Sequence, residues 1–272
     1  MTKGQGHLII GGGAIEASKK AVFSRFLQAA GGTDAKISVI ASASSYPAEN
    51  YQAAVEVLTG LGLPEEKLCC VPLTSETALL KEGWTDRADE GLLSYFEGVS
   101  GVWFTGGDQI RAVRSLIRDN GEETPVLSAI RGILADGGVI GGSSAGAAVM
   151  SRSMIARGTD QGVLQYPVCT EPDSYTEEFD RQERLLLMKG LGFFTEGIID
   201  QHFNTRPRLQ RLMCAMQYLQ ESVGYGISED TALCVSMADR KKEVIGSGYV
   251  MRVEYKGEGS FVTNLLYHKN PQ

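Results

Sequence analysis

The feature that most constrains the fold is a regular alternation of short apolar runs with longer amphipathic stretches. The runs HLIIGGG, KISVIASAS, LCCVPL, GVWFTGG and VIGGSS have the length and composition of buried strands. Stretches between them, such as PAENYQAAVEVLTGLG and DQIRAVRSLIRD, place apolar residues three and four positions apart, which predicts helices. The alternation predicts an α/β fold with a mostly parallel sheet flanked by helices on both faces.

The chain is long enough for one large α/β domain. It has 272 residues, and no charge block, repeat or low-complexity linker interrupts the pattern. We therefore expect a single domain over residues 1–272 with a sizeable core.

Composition excludes several classes of protein. The net charge of −7 argues against nucleic-acid binding, which needs a basic face. Five cysteines without CxxC spacing, and three histidines far from one another, indicate neither a disulfide scaffold nor a metal or cofactor site. No apolar run approaches the ~18 residues of a membrane span. The N-terminus lacks the apolar core of a signal peptide, so we expect a cytoplasmic protein that does not bind a membrane.

Glycine and hydroxyl residues collect where the predicted strands end. The stretches are GGGAIE at 11–16, SASSYP at 42–47, TGGDQ at 105–109 and GGSSAG at 141–146. Parallel sheets carry their sites at the carboxyl ends of the strands, so these loops are candidates. Turns between strands and helices also use glycine and serine for geometry alone, and no single loop marks a site.

GGSSAG contains the G-x-S-x-G motif between a predicted strand and a predicted helix. In that context Ser144 would lie on a sharp turn with its Oγ above the sheet, and the Ala145 N–H could donate to an oxyanion. Ser143 does not fit, because Ala145 rather than glycine would end its motif. A turn of small residues without chemistry is the alternative. A phosphate loop is disfavoured because GK[ST] is absent.

A serine nucleophile needs a base and an acceptor that orients the base. His202, in GIIDQHFNTRPRLQRL, follows an apolar run and is the best-placed histidine. Arg206 and Arg208 follow it by four and six residues, and arginine forks bind carboxylates, which implies an anionic group on the substrate; a solvated basic helix face is the alternative. For the orienting acid, spacing leaves Glu229 and Asp230 of GISEDTAL equally open.

Four of these stretches, FTGGDQ, GGSSAGAAVM, DQHFNTRPRLQRL and GISEDTAL, together resemble the cyanophycinases, in the peptidase E-like group of serine peptidases. The resemblance covers roughly residues 7–250 and implies a class I glutamine-amidotransferase-like α/β sheet. It implies Ser144 as nucleophile, His202 as base and Glu229 as the third member. The amides of Gly107 and Ala145 would form the oxyanion hole. The implied substrate pocket consists of Gln109, Asp200, Gln201, Arg206, Arg208 and Arg211.

The same resemblance implies an activity and a partner. Such enzymes are exopeptidases and homodimers that hydrolyse cyanophycin, a polyaspartate with arginine on each β-carboxyl, to β-Asp-Arg dipeptides. The chain departs from the family at residues 157–186, where the connection between serine and histidine is longer. This segment would be a surface insertion or a lid, and the charged sequence slightly favours the insertion.

Three other functions remain to be weighed. An α-aspartyl dipeptidase would use the same chemistry on small peptides. A non-catalytic binding protein on this fold would lack a serine, histidine or glutamate of the triad, and all three are present. A glutamine amidotransferase needs cysteine at position 144, which is serine.

Overall fold

The centre of the molecule is a seven-stranded sheet. The computed structural model describes residues 6–15, 20–76, 78–170 and 177–268. In spatial order the strands are β11 (Lys242–Gly246), β10 (Thr231–Ser236), β1 (His7–Gly11), β5 (Val139–Ser143), β4 (Gly101–Phe104), β2 (Ile37–Ile40) and β3 (Leu68–Val71). The five strands from β1 to β3 run parallel, whereas β10 is antiparallel to both β1 and β11. The predicted mostly parallel sheet is confirmed.

Helices connect the strands much as the apolar spacing predicts. They are α1 (Ala21–Ala30), α2 (Pro47–Thr59), α3 (Gln109–Leu116), α4 (Pro125–Ala135), α5 (Ala145–Ala148), α6 (Asp160–Gln165), α7 (Glu177–Arg181) and α8 (Leu209–Leu219). The stretch IEASKKAVFSRFLQAAGG also has the spacing of a helix from residue 15, but its residues 16–19 lie outside the described part. The stretch DEGLLSYFEG, whose apolar spacing also predicts an α-helix, forms a 3-10 helix, Glu90–Phe96, instead.

Both faces of the sheet are covered, because successive side chains of a strand point to opposite sides. Leu8 and Ile10 of β1 belong to the cluster that α3 and α4 cover, together with Phe104. Ile9 points the other way, into the cluster that contains Phe26 of α1. This packing confirms helices on both faces.

Two smaller sheets were not predicted. One has the order β13 (Ser260–Tyr267), β12 (Tyr249–Gly257), β9 (Val223–Ile227) and β8 (Ile198–Asp200); the other pairs β6 (Ser153–Arg157) with β7 (Leu186–Lys189). Strands β8 and β9 are parallel neighbours, with Asp200 opposite Gly226. The chain therefore leaves both strands at the same edge, which brings residues 201–206 close to residues 228–230.

The described ends of the segment 157–186 pair with each other through backbone hydrogen bonds. Its Thr159 N–H donates to the Glu183 carbonyl at 3.1 Å, and its Cys169 N–H donates to the Leu185 carbonyl at 2.8 Å. Residues 171–176 of this segment lie outside the described part, and its role stays a prediction. None of the helices in the described ranges is long and apolar enough to cross a membrane.

Candidate active site

Ser144 occupies a sharp turn between a strand and a helix. Strand β5 ends at Ser143 and α5 begins at Ala145, so a single residue joins them. Ser144 has φ 55° and ψ −112°, which is strained for a residue with a side chain. Its N–H donates to the Gly11 carbonyl at 3.0 Å, which ties the turn to β1. This is the conformation expected of a nucleophile elbow.

The two glycines of the G-x-S-x-G motif are required by close packing. A Cβ added at Gly146 would lie 2.3 Å from the Phe104 carbonyl oxygen of β4. A Cβ added at Gly142 would lie 2.6 Å from the carbonyl oxygen of Gly146 itself. Any side chain at either position would force backbone apart, so the motif spacing has a steric reason here.

The structure brings serine, histidine and glutamate into one hydrogen-bonded line. Ser144 Oγ lies 2.8 Å from His202 Nε2, and His202 Nδ1 lies 2.6 Å from Glu229 Oε1. Asp230, the other acid that the spacing left open, instead accepts at Oδ2 from the Ser247 hydroxyl at 2.8 Å. With Nδ1–H directed to the carboxylate, Nε2 is left to accept the proton of Ser144 Oγ.

The glycine-rich loop after β1 holds the imidazole in place. The His202 N–H donates to the Gly12 carbonyl at 2.6 Å, and His202 itself has a positive φ of 52°. A Cβ added at Gly13 would lie 2.3 Å from His202 Cε1, so the bare backbone packs directly against the ring. The GGG run indicates that another group packs closely against this backbone, but sequence spacing does not show that the group is the His202 ring.

Two residues that sequence reasoning missed hold Glu229. The Thr205 hydroxyl donates to Glu229 Oε1 at 3.0 Å, and Asn204 Oδ1 accepts from the Glu229 N–H at 2.8 Å. Both come from the loop that carries His202. The loop therefore positions the acid as well as the base.

The pKa of each partner is shifted in the direction that suits a base and its carboxylate. Burial lowers the pKa of His202, and the cations Arg206 and Arg208 lower it further, whereas the hydrogen bond to Glu229 opposes them. The hydrogen bond from His202, together with that from Thr205, lowers the pKa of Glu229. At neutral pH the imidazole is uncharged and the carboxylate is ionised.

Two backbone N–H groups, those of Gly107 and Ala145, belong to residues near Ser144. Gly107 has φ 141°, and a Cβ there would lie 2.2 Å from the Ala43 carbonyl oxygen, so only glycine fits. The preceding Gly106 lies against Ser144, with its added Cβ at 3.5 Å from the serine Cβ. In the described ranges, neither Gly107 N–H nor Ala145 N–H donates to a backbone carbonyl. The geometry leaves both donors available to an oxyanion.

Four of the six predicted substrate residues form a buried cluster with one another. Arg211 Nε donates to Asp200 Oδ2 at 2.8 Å, and Arg211 Nη2 donates to Asp200 Oδ1 at 2.5 Å. Arg208 donates to both oxygens of Gln201 and lies 3.6 Å from Asp200 Oδ1. Burial, with the neighbouring Arg211, lowers the pKa of Arg208 to about 10, so it stays cationic at neutral pH.

The other two predicted substrate residues have contrasting environments. Gln109 is buried, and its amide nitrogen donates to the carbonyls of Ile155 at 3.1 Å and Ala156 at 2.7 Å. Arg206 is exposed, and its guanidinium makes no hydrogen bond or ion pair with the described residues. Of the six, Arg206 alone presents a charge without a protein partner in the ranges that the structure covers.

No group of three or more His, Cys, Asp or Glu side chains in the described ranges is arranged to hold a metal ion.

Comparison with known proteins places the chain in a defined group. A family model described as peptidase family S51 matches residues 7–242. The chain is 34% identical over 261 residues to a cyanophycinase of Geminocystis herdmanii, and this match covers 94% of this chain and 82% of the relative. It is 32% identical to cyanophycinases of Synechococcus elongatus (91% of this chain, 67% of the relative) and Trichormus variabilis (91% and 72%).

Solved structures share the fold. A peptidase from an acI-B1 Actinobacterium superposes with a TM-score of 0.62 and 18% identity, over 98% of this chain and 96% of that one. A putative peptidase E protein from Listeria monocytogenes gives a TM-score of 0.50 and 16% identity, over 91% of this chain and all of the other. At such identities the likeness concerns the fold alone.

Proposed function

The chain belongs to peptidase family S51, and from this premise we propose that it is a serine exopeptidase that hydrolyses cyanophycin to β-Asp-Arg dipeptides. Relatives named cyanophycinase match more than nine tenths of the chain, which supports the substrate. The observation that carries the chemistry is the continuous line from Ser144 Oγ through His202 to Glu229.

In the proposed reaction Ser144 is the nucleophile and His202 the base. His202 Nε2 takes the Oγ proton as Oγ bonds to the backbone amide carbonyl carbon of a terminal unit of the polymer. His202 then gives that proton to the leaving amine, the C–N bond breaks, and an ester to Ser144 remains. Water, deprotonated by the same imidazole, cleaves the ester and restores the serine hydroxyl.

The other groups of the site stabilise charge as it forms. The N–H groups of Gly107 and Ala145 would bind the oxyanion of each tetrahedral intermediate. The ionised Glu229 keeps Nδ1 protonated and stabilises the imidazolium, which places Nε2 toward the serine. Each role follows from the contacts described above and stays a proposal.

Arg206 is the proposed ligand for a carboxylate of the substrate. Each arginine of cyanophycin keeps a free α-carboxylate, and a guanidinium binds such a group bidentately. Asp200, Gln201, Arg208 and Arg211 contact one another, and Arg211 also donates to the Gly158 carbonyl, so we assign them to holding the loop that carries His202 and Arg206 rather than to contacting substrate.

Digestion of purified cyanophycin followed by mass analysis of the products tests the function. We expect β-Asp-Arg as the sole small product, and no product from the Ser144→Ala variant. Release of free arginine would contradict the proposal, because it requires cleavage at the β-carboxyl amide instead of the backbone.

An α-aspartyl dipeptidase is separated by the same assay with a second substrate. If the protein hydrolyses Asp-Leu and leaves cyanophycin intact, it is an α-aspartyl dipeptidase and the proposal is wrong. Binding of the polymer without any hydrolysis would favour a non-catalytic protein.

We also propose a homodimer. Strand β13 lies at the edge of its sheet and exposes Val262, Leu265 and Tyr267, and an open edge of this kind favours pairing with another chain. Analytical ultracentrifugation measures the assembly, and a monomer at micromolar concentration would contradict it. The cytoplasmic location stays a prediction from the sequence.

A further inference from the structure

A cavity of about 450 Å³ lies beside α3, next to the loop that carries Gly107. Its wall contains five charged side chains, namely Asp86, Asp108, Arg111, Arg114 and Arg157. The volume is in the range of small-ligand sites. None of these residues belongs to the site proposed above.

Three of the five charges are engaged by protein groups. Arg157 forks onto the Asp108 carboxylate, donating to Oδ1 at 3.1 Å and also to Oδ2. Arg111 pairs with Glu76 and donates to the Ser45 hydroxyl at 2.8 Å. These contacts stiffen the wall and account for Asp108, Arg111 and Arg157.

The remaining two charges, Asp86 and Arg114, are opposite in sign and have no partner among the described residues. Each is exposed, and neither side chain makes a hydrogen bond or ion pair within the described residues, including with the other. A carboxylate and a guanidinium that line one cavity without pairing fit a ligand that carries both a cation and an anion.

The cavity begins next to the proposed oxyanion loop, because Asp108 belongs to its wall. Asp108 directly follows the proposed oxyanion donor Gly107, and Arg114 lies six residues farther along. At about 1.5 Å per residue of helix, Arg114 is about 9 Å beyond Asp108. An extended backbone covers about 3.3–3.6 Å per residue, so the wall from Asp108 to Arg114 is about as long as three extended residues of a polymer.

We propose that this cavity is a second subsite, which binds the zwitterionic arginine of a polymer unit beyond the two that flank the cleaved bond, through Asp86 and Arg114. Asp86 takes the guanidinium and Arg114 takes the α-carboxylate, whereas Arg206 serves the unit at the bond. This inference rests on the proposed function for the identity of the ligand. It predicts that the enzyme binds the polymer more tightly than short segments.

Kinetics on two substrates tests the subsite. We expect Asp86→Asn and Arg114→Gln each to raise KM for soluble cyanophycin about 5- to 20-fold, with kcat unchanged, because each loses one charge-assisted contact. For a segment of two β-Asp-Arg units, which supplies only the two units that flank the cleaved bond, KM should stay at the wild-type value. The matched controls are Arg118→Gln and Asp119→Asn, which are exposed and lie outside the cavity wall.

Binding to the Ser144→Ala variant, measured by titration calorimetry with the polymer and the two-unit segment, separates failure of the subsite from failure of the function. If Asp86→Asn and Arg114→Gln in this background bind polymer as the controls do, the subsite is overturned, and hydrolysis by the wild type leaves the function standing. If the wild type hydrolyses nothing but binds polymer in a manner that depends on Asp86 and Arg114, the subsite stands and the function fails. Absence of polymer binding overturns both.

Discussion

Two groups of polar residues flank the loop at 201–208 and differ in their exposure to solvent. The side chains of Asp200 and Arg211 are 1% and 5% exposed and are joined by two hydrogen bonds. Those of His202 and Glu229 are 12% and 28% exposed and form a hydrogen-bonded line to Ser144, near Arg206, which has no partner in the described ranges. One short stretch of sequence therefore supplies both a buried support and an open reactive site.

The difference in exposure separates the residues that support the fold from the residues that react or bind substrate. A buried ion pair is satisfied inside the protein, and loss of one partner leaves the other charged and desolvated. A partly exposed charge keeps its affinity for a ligand. Substitutions in the buried group should therefore lower stability first, and substitutions in the open group should lower turnover or substrate binding without unfolding the chain.

Ser144→Ala should give the largest loss of activity, and it should separate the open group from the buried group because stability is expected to stay unchanged. We expect kcat for cyanophycin to fall about 10⁴-fold or more, as is typical for loss of a triad nucleophile. The melting temperature should not fall, because the open group does not support the fold. A fall in melting temperature together with the loss of activity would contradict the division into a buried group and an open group.

Arg211→Met should destabilise the chain by about 3–5 kcal/mol, because Asp200 is left buried beside only the more distant Arg208. Urea denaturation followed by circular dichroism measures the free energy of unfolding. Arg206→Met is the matched control, and an exposed substitution of this kind should stay within about 0.5 kcal/mol of the wild type. Equal losses in the two variants would contradict the division.

Arg206→Gln should raise KM for cyanophycin about tenfold, because one charge-assisted contact to the substrate is lost. Steady-state kinetics measures the change, with the Arg118→Gln variant as reference. An unchanged KM would remove Arg206 from the substrate site and leave the carboxylate without an assigned ligand.

The smallest expected effect is on pH dependence. The pKa of His202 is lowered, chiefly by burial, so the acidic limb of kcat/KM should lie below pH 6.5, because activity requires the neutral imidazole. Arg206→Gln removes a cation that lowers this pKa, so the limb should move to higher pH, by less than about one unit. A shift to lower pH would mean that Arg206 does not act on His202 through its charge.

Much of the parallel sheet could be predicted, because each strand and helix carries its own apolar period. The same is true of the turn at Ser144, where two glycines and a strand-to-helix junction lie within five residues. Membership of the peptidase E-like group, inferred by resemblance, is confirmed by the match to peptidase family S51. Local spacing was sufficient wherever the determining contacts lie close in sequence.

Contacts between distant segments could not be predicted in this way. Glu229 and Asp230 are adjacent and alike, and only the approach of β8 to β9 puts one of them beside His202. Thr205 and Asn204 looked like ordinary loop residues, although both hold Glu229. The four-stranded sheet was missed because β12 and β13 pair through a hairpin after the α/β alternation has ended.

The backbone of Ser144 has a consequence for how this chain would evolve. A glycine there would relax a strain of about 1–3 kcal/mol, since it adopts a positive φ without a Cβ clash. Selection for thermal stability alone would therefore favour replacement of this serine, whereas selection for turnover would retain it. Directed evolution under these two selections should thus give different residues at position 144, one favouring stability and the other catalysis.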